Sequence, residues 1–239
     1  MAIIDNFELN KLFADAIETQ KNWPIDNPPL LDRDERTRLQ YRKEIIARED
    51  HHALERIVGR RDLQQINFLK RGLRAARAVC RVRIRSRESS MEHFGTGFLV
   101  APGLLMTNRH VLPNTDVARH SLAEFDYEQD EHFVETTPRV FNFLPSDIYL
   151  SHTNLDVAFV AVASFAHDGT PLAEFGSLPL LQRSGKAING EWVTLIQHPN
   201  GEPKQIVIRE SQIVRLSPNS NLNEDMIAYT SDTERGSSG

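Results

Sequence analysis

Apolar residues recur along this chain at two different intervals, and the interval changes near residue 75. Before that point the spacing is helical. Leu9, Leu12, Phe13 and Ile17 recur at helical spacing and predict a short helix over 4–21. A proline-rich break runs from Trp23-Pro24 to Asn27-Pro28-Pro29. Residues 32–57 are dense in charge, with Leu39, Ile45, Ile46, Leu54 and Ile57 as the apolar positions, which reads as a long, mostly exposed helix with interleaved opposite charges. Phe68, Leu69 and Leu73 predict a third helix between Leu63 and Ala78.

Beyond Ala78 the period falls to two or the apolar runs become continuous, both signatures of strands. Cys80-Arg81-Val82-Arg83-Ile84-Arg85 alternates strictly and predicts a half-buried strand whose arginines pair with the acidic loop Asp126 to Glu131. Phe94 to Val100 and Leu104 to Asn108 predict a hairpin around Ala101-Pro102-Gly103, where proline presets one turn position and glycine accepts positive φ at the next. That hairpin delivers Arg109-His110 at a strand end. Val157 to Ala163 reads as a buried strand, with Asp156 at its mouth. In all, strands are expected at 79–85, 95–100, 104–108, 132–136, 139–143 and 157–163, then at 191–197, 204–209, 212–216 and 226–230.

His110, Asp156 and Ser238 occur in the chain order that one form of the Ser-His-Asp triad requires. Ser238 lies in Gly236-Ser237-Ser238-Gly239, where glycines permit a tight turn that exposes a hydroxyl. A lone G-x-S-G is weak evidence, but the three segments Leu105-Met106-Thr107-Asn108-Arg109-His110-Val111, Asn154-Leu155-Asp156-Val157-Ala158 and Gly236 to Gly239 reinforce one another. On these residues the chain resembles the trypsin-like (chymotrypsin-fold) serine peptidases, nearer the bacterial V8-like, glutamyl-endopeptidase branch. Gln197-His198-Pro199-Asn200-Gly201 is similar to the G-H/Y-P-x-G turn of that branch, and Tyr229 to Gly239 to its nucleophile loop. The resemblance covers roughly residues 78 to 239, about two thirds of the chain.

The resemblance implies a mainly β fold of two six-stranded antiparallel β-barrels, preceded by an α-helical segment. It divides the chain into an accessory segment, 1–75, and a peptidase domain, 76–239, in which the second barrel stops two strands short, just after the nucleophile. It implies a serine endopeptidase with Ser238 as nucleophile, His110 as general base and acid, and Asp156 orienting the imidazole. The backbone N–H groups of Gly236 and Ser238 would form the oxyanion hole. Asp232 resembles the pocket-base residue that selects Arg or Lys, whereas Thr233 resembles the threonine lining Glu-specific pockets, so the preferred residue stays open. A chain ending so close to Ser238 is expected to be feebly active or inactive, and the alternative function is a catalytically silent peptidase-fold module that binds peptides or proteins. Arg56-Ile57-Val58-Gly59 mimics a zymogen activation junction, but Ser237 offers a freed amine no carboxylate, so Ile57-Val58 reads as a helix end.

Composition narrows this further. With 40% hydrophobic residues in 239, there is material for a two-barrel domain and a smaller appendage. A net charge of −5 gives no overall pull toward nucleic acid, and the arginine-rich strand lacks the interleaved aromatics that stack bases. Cys80 is the single cysteine, so no intrachain disulfide can form, and the acidic start Met1 to Glu8 is unlike a secretory signal; both favour the cytoplasm. No apolar run approaches a membrane span. His51, His52, His120, His132, His152 and His167 lack ligand spacing, so neither a metal nor another cofactor is expected. His198 is read as shaping a turn, with a place in the cleft as the alternative. The expected partners are a protein or peptide substrate and whatever the N-terminal helices touch.

Overall fold

Short, alternating segments separated by turn residues build a mainly β structure with few helices, as expected. The computed structural model describes residues 66–85, 92–180, 192–208, 211–215 and 228–230. The helices expected over 4–21 and 32–57, the Arg56 to Gly59 junction, and the loop bearing Asp232, Thr233, Gly236 and Ser238 lie outside the described residues. The third helix is present as α1 (Asn67–Arg77) and runs directly into β1 (Val79–Ile84).

One antiparallel sheet dominates. It contains β1, β2 (His93–Ala101), β3 (Leu104–Asn108), β4 (Leu122–Phe125), β5 (Arg139–Asn142), β6 (Tyr149–His152) and β7 (Val157–Ala161), in the order β5-β4-β1-β2-β3-β7-β6. A short helix, α2 (Thr115–His120), links β3 to β4; its first turn is capped by the Asn114 side chain, which accepts from the Val117 N–H at 2.9 Å. The β2–β3 hairpin turns at Pro102-Gly103 with Gly103 at φ 77°, a conformation glycine adopts without steric cost. The sheet curls until its flanks meet: Phe143, just past β5, bridges Val162, just past β7. There the Leu144 N–H donates to Ala161 O at 2.8 Å and the Ala163 N–H to Asn142 O at 2.9 Å.

Alternation of side chains puts Cys80, Val82, Leu99, Leu105 and Val160 inside this curl, each with 1% exposure or less. Phe125 and Phe141 pack edge-on at 5.5 Å, and Phe175, from a 3-10 turn at Leu172–Phe175, closes the cluster against both. Replacing a buried phenylalanine of this kind by alanine costs about 3–5 kcal/mol through lost transfer energy and the cavity left behind. β7 is buried at every position, which explains its continuous apolar run. Two further antiparallel pairs follow: β8 (Leu195–Gln197) with β9 (Gln205–Val207), and β10 (Gln212–Arg215) with β11 (Ala228–Thr230).

Three expectations are corrected. Residues 132–136 form no strand: the Asp130 side chain accepts from the N–H groups of His132 and Val134, at 2.8 and 2.9 Å, and Phe133 sits at φ 62°. Local side-chain capping has overridden the strand propensity there. β4 and β6 were not anticipated. Finally, the strand arginines do not pair with the Asp126 to Glu131 loop. Arg81 and Arg83 both reach Glu124 of the neighbouring β4, and Arg85 pairs with Glu92.

Candidate active site

The β3–β7 ladder sets the site. Asn108, the last residue of β3, lies opposite Val157, the first of β7, so the residues just beyond each strand end are brought side by side. After Asn108 the chain closes one helical turn, with the N–H groups of Val111 and Leu112 donating to Asn108 O at 3.1 and 3.2 Å. His110 rides on that turn. Asp156 stands at φ 46°, a left-handed conformation that aspartate tolerates better than most residues, and this kink points its carboxylate back toward the turn.

The two side chains meet. His110 Nδ1 lies 2.6 Å from Asp156 Oδ2, while the His110 backbone N–H donates to Asp156 Oδ1 at 3.0 Å. A carboxylate can only accept, so Nδ1 carries the hydrogen and Nε2 is left with its lone pair. The aspartate is itself held in place: Asn108 Nδ2 donates to Asp156 O at 2.9 Å and reaches Oδ2 at 3.3 Å, and the Arg109 N–H donates to Asp156 O at 3.0 Å. His110 is 55% and Asp156 41% exposed, so a substrate can approach the imidazole. Asn108 had been read only as a strand end; its amide is a part of the site that the sequence did not single out. Asp232, Thr233, Gly236 and Ser238 lie outside the described residues.

A second cluster lies where the β8–β9 segment meets the first sheet. His198 is fully buried in the turn that begins Pro199–Gly201; its N–H donates to Thr96 Oγ1 and its Nδ1–H to Glu202 O, both at 3.0 Å. The ring stacks on Tyr127, and Nε2 is a buried atom with no hydrogen-bond partner. Burial, aided by the nearby Lys204 and Arg81 charges, pushes its pKa down to about 3, against the opposing bond to Glu202 O. Of the two expectations for His198, the turn is the one its contacts describe. Burial likewise pushes the Cys80 thiol well above its usual range, which makes it inert as a nucleophile. Among the described residues no three His, Cys, Asp or Glu side chains cluster as a metal site would require.

Residues 95–239 match the family model described as a trypsin-like peptidase domain. The chain belongs to that family. It is 39% identical over 195 residues to the uncharacterized protein y4fB of Sinorhizobium fredii, a match spanning 80% of this chain but only 29% of that protein's length. Among solved structures, the active form of the Rv3671c protease from M. tuberculosis aligns with a TM-score of 0.45 and 20% identity, over 70% of this chain and 65% of that one. The serine endoprotease from Yersinia pestis aligns with a TM-score of 0.47 and 18% identity, over 75% of this chain and 53% of that one. At these scores the two structures add nothing to the family match.

Proposed function

We propose that the protein is a serine endopeptidase of the V8-like branch, with His110, Asp156 and Ser238 as its triad. The observation that supports this best is the 2.6 Å contact of His110 Nδ1 with Asp156 Oδ2 in a chain of the trypsin-like peptidase family. With Nδ1 protonated and held, Nε2 is the nitrogen able to take a proton from Ser238 Oγ. That oxygen then bonds to the substrate's carbonyl carbon, and the negative charge passes to the carbonyl oxygen, which the N–H groups of Gly236 and Ser238 receive. Such a donor is worth on the order of 3 kcal/mol in the transition state. The imidazolium returns its proton to the departing amine as the C–N bond breaks, leaving an ester on Ser238. Water, deprotonated by the same Nε2, hydrolyses that ester and regenerates the hydroxyl. Asp156 keeps its negative charge throughout and stabilises the imidazolium.

Asp232 and Thr233 belong to the primary pocket in this reading, with a choice between basic and Glu side chains in the substrate. Residues 76–239 are the peptidase unit and 1–75 an accessory segment that meets a partner protein or a further domain. The test is covalent capture. A serine-directed fluorophosphonate should add to Ser238 in the full-length protein, with the adduct located by tandem mass spectrometry and lost in Ser238→Ala and His110→Ala. Folded protein that takes up no label at Ser238 would end the proposal.

A further inference from the structure

The proposed triad is divided. His110 and Asp156 stand on the large first sheet, whereas Ser238 follows β11, far along the chain. Something must fix the second half against the first to within a fraction of an ångström. The best-defined meeting point of the two halves is the segment from His198 to Lys204. Lys204 donates its N–H to Tyr127 O at 2.8 Å, and His198 donates its N–H to Thr96. Thr96 O in turn accepts from Thr107 Oγ1 at 2.7 Å, and Thr107 lies one residue before Asn108, which holds Asp156. The turn is therefore linked through two buried hydroxyls to the strand that carries the base.

Arg81 occupies the middle of this contact. Its Nε and Nη2 both reach Glu124 Oε2, at 2.7 and 2.6 Å, and Glu124 is only 1% exposed. The guanidinium plane lies over the Tyr127 ring at 3.7 Å and over Phe94 at 4.8 Å. The remaining nitrogen, Nη1, donates to Gly201 O across the boundary. This cation is thus held by β2, β4 and the loop after β4, and its bond to Gly201 O ends on the second half. Gly201 stands at φ 73°, and a Cβ there would collide with the Phe94 side chain, so the backbone is drawn against the same ring that supports the arginine. A lysine could carry the charge but could not span Glu124 and Gly201 at once, because it lacks the planar fork.

We infer that Arg81 is a positioning residue for catalysis: seated on Glu124, Phe94 and Tyr127, it holds Gly201 O and so sets the His198–Lys204 turn, which precedes the proposed nucleophile in the chain, against the sheet that carries His110 and Asp156. The inference rests on the peptidase reading, and it touches neither substrate nor the reacting atoms.

The test uses full-length protein and Arg81→Lys, with Arg81→Ala as a second variant, and two readouts. The first is amide hydrogen exchange of the peptide covering 197–204, which needs no turnover. The second is the rate of fluorophosphonate labelling at Ser238, measured beside substrate kcat and KM. Arg81→Lys should raise exchange in 197–204 at least tenfold and leave the 105–112 peptide unchanged. It should also slow labelling by about 10²-fold, the scale of a 1 Å misplacement, through kcat with KM little altered. Guanidinium ion added to Arg81→Ala should recover part of the labelling rate, a response that general destabilisation would not give. Unchanged exchange in 197–204, or labelling at the wild-type rate despite loosened exchange, would overturn the inference. A wild-type protein that fails to label sinks the peptidase reading instead, while the exchange result still reports on the Arg81 seat.

Discussion

Asp156 and Glu124 each bind a basic partner at 2.6 Å, yet the two pairs differ in everything that follows. The Asp156–His110 pair is open, 41% and 55% exposed, at the end of two strands. The Glu124–Arg81 pair is closed, 1% and 12% exposed, within the sheet and against aromatic rings. An exposed pair is screened by water and contributes little to folding, so its geometry is available for chemistry. A buried pair is strongly interdependent, because removing one partner leaves a desolvated charge behind. In the proposed reading the open pair serves reaction and the closed ion pair serves position. Their mutational signatures should be opposite.

The largest effect is expected at the open pair. His110→Ala should slow labelling of Ser238 by at least about 10³-fold while leaving the thermal midpoint within a few degrees, by calorimetry. At the closed pair, Glu124→Ala should cost about 3–5 kcal/mol of stability in urea unfolding, because Arg81 and Arg83 both lose their carboxylate. Gly201→Ala should cost about 2–3 kcal/mol by the same measurement, from positive φ and the collision with Phe94.

Smaller again, per pH unit, is a pH effect beside the closed pair. His198 has a folded pKa of about 3, below its unfolded value near 6.5. The unfolded chain therefore binds more protons between those two values, and folding loses stability as pH falls from about 6.5 toward 3. The slope should approach ~1.4 kcal/mol per pH unit once the unfolded imidazole is charged, and His198→Gln should flatten it. Arg85→Ala, which removes an exposed pair to Glu92, should change stability by less than about 0.5 kcal/mol.

The open pair was legible in the sequence and the closed pair was not, for physical reasons. His110 ends a hairpin announced by Pro102-Gly103, and Asp156 immediately precedes the continuous apolar run of β7, so local patterns put each at a strand end, while the resemblance to trypsin-like peptidases implied that they pair. Glu124 lies in Leu-Ala-Glu-Phe, where a buried charge breaks the apolar pattern that would have marked β4. Its partner Arg81 is 43 residues away, and no local rule connects them. The alternating arginines of β1 correctly announced a strand, but alternation says nothing about which neighbour supplies the counter-charge. At 132–136 the error ran the other way, since His-Phe-Val-Glu-Thr suits a strand, whereas capping by Asp130 and the bonds of Thr136 to Glu128 keep it a loop.

The most direct test of the open pair as the working half of a triad is Asp156→Asn. The substitution preserves size but reverses one hydrogen-bonding group, favouring the tautomer whose Nε2 can no longer accept. The labelling rate of Ser238 in this variant, measured beside its urea midpoint, should fall by about 10⁴-fold with the midpoint almost unmoved. Labelling at the wild-type rate in a folded Asp156→Asn protein would contradict the account.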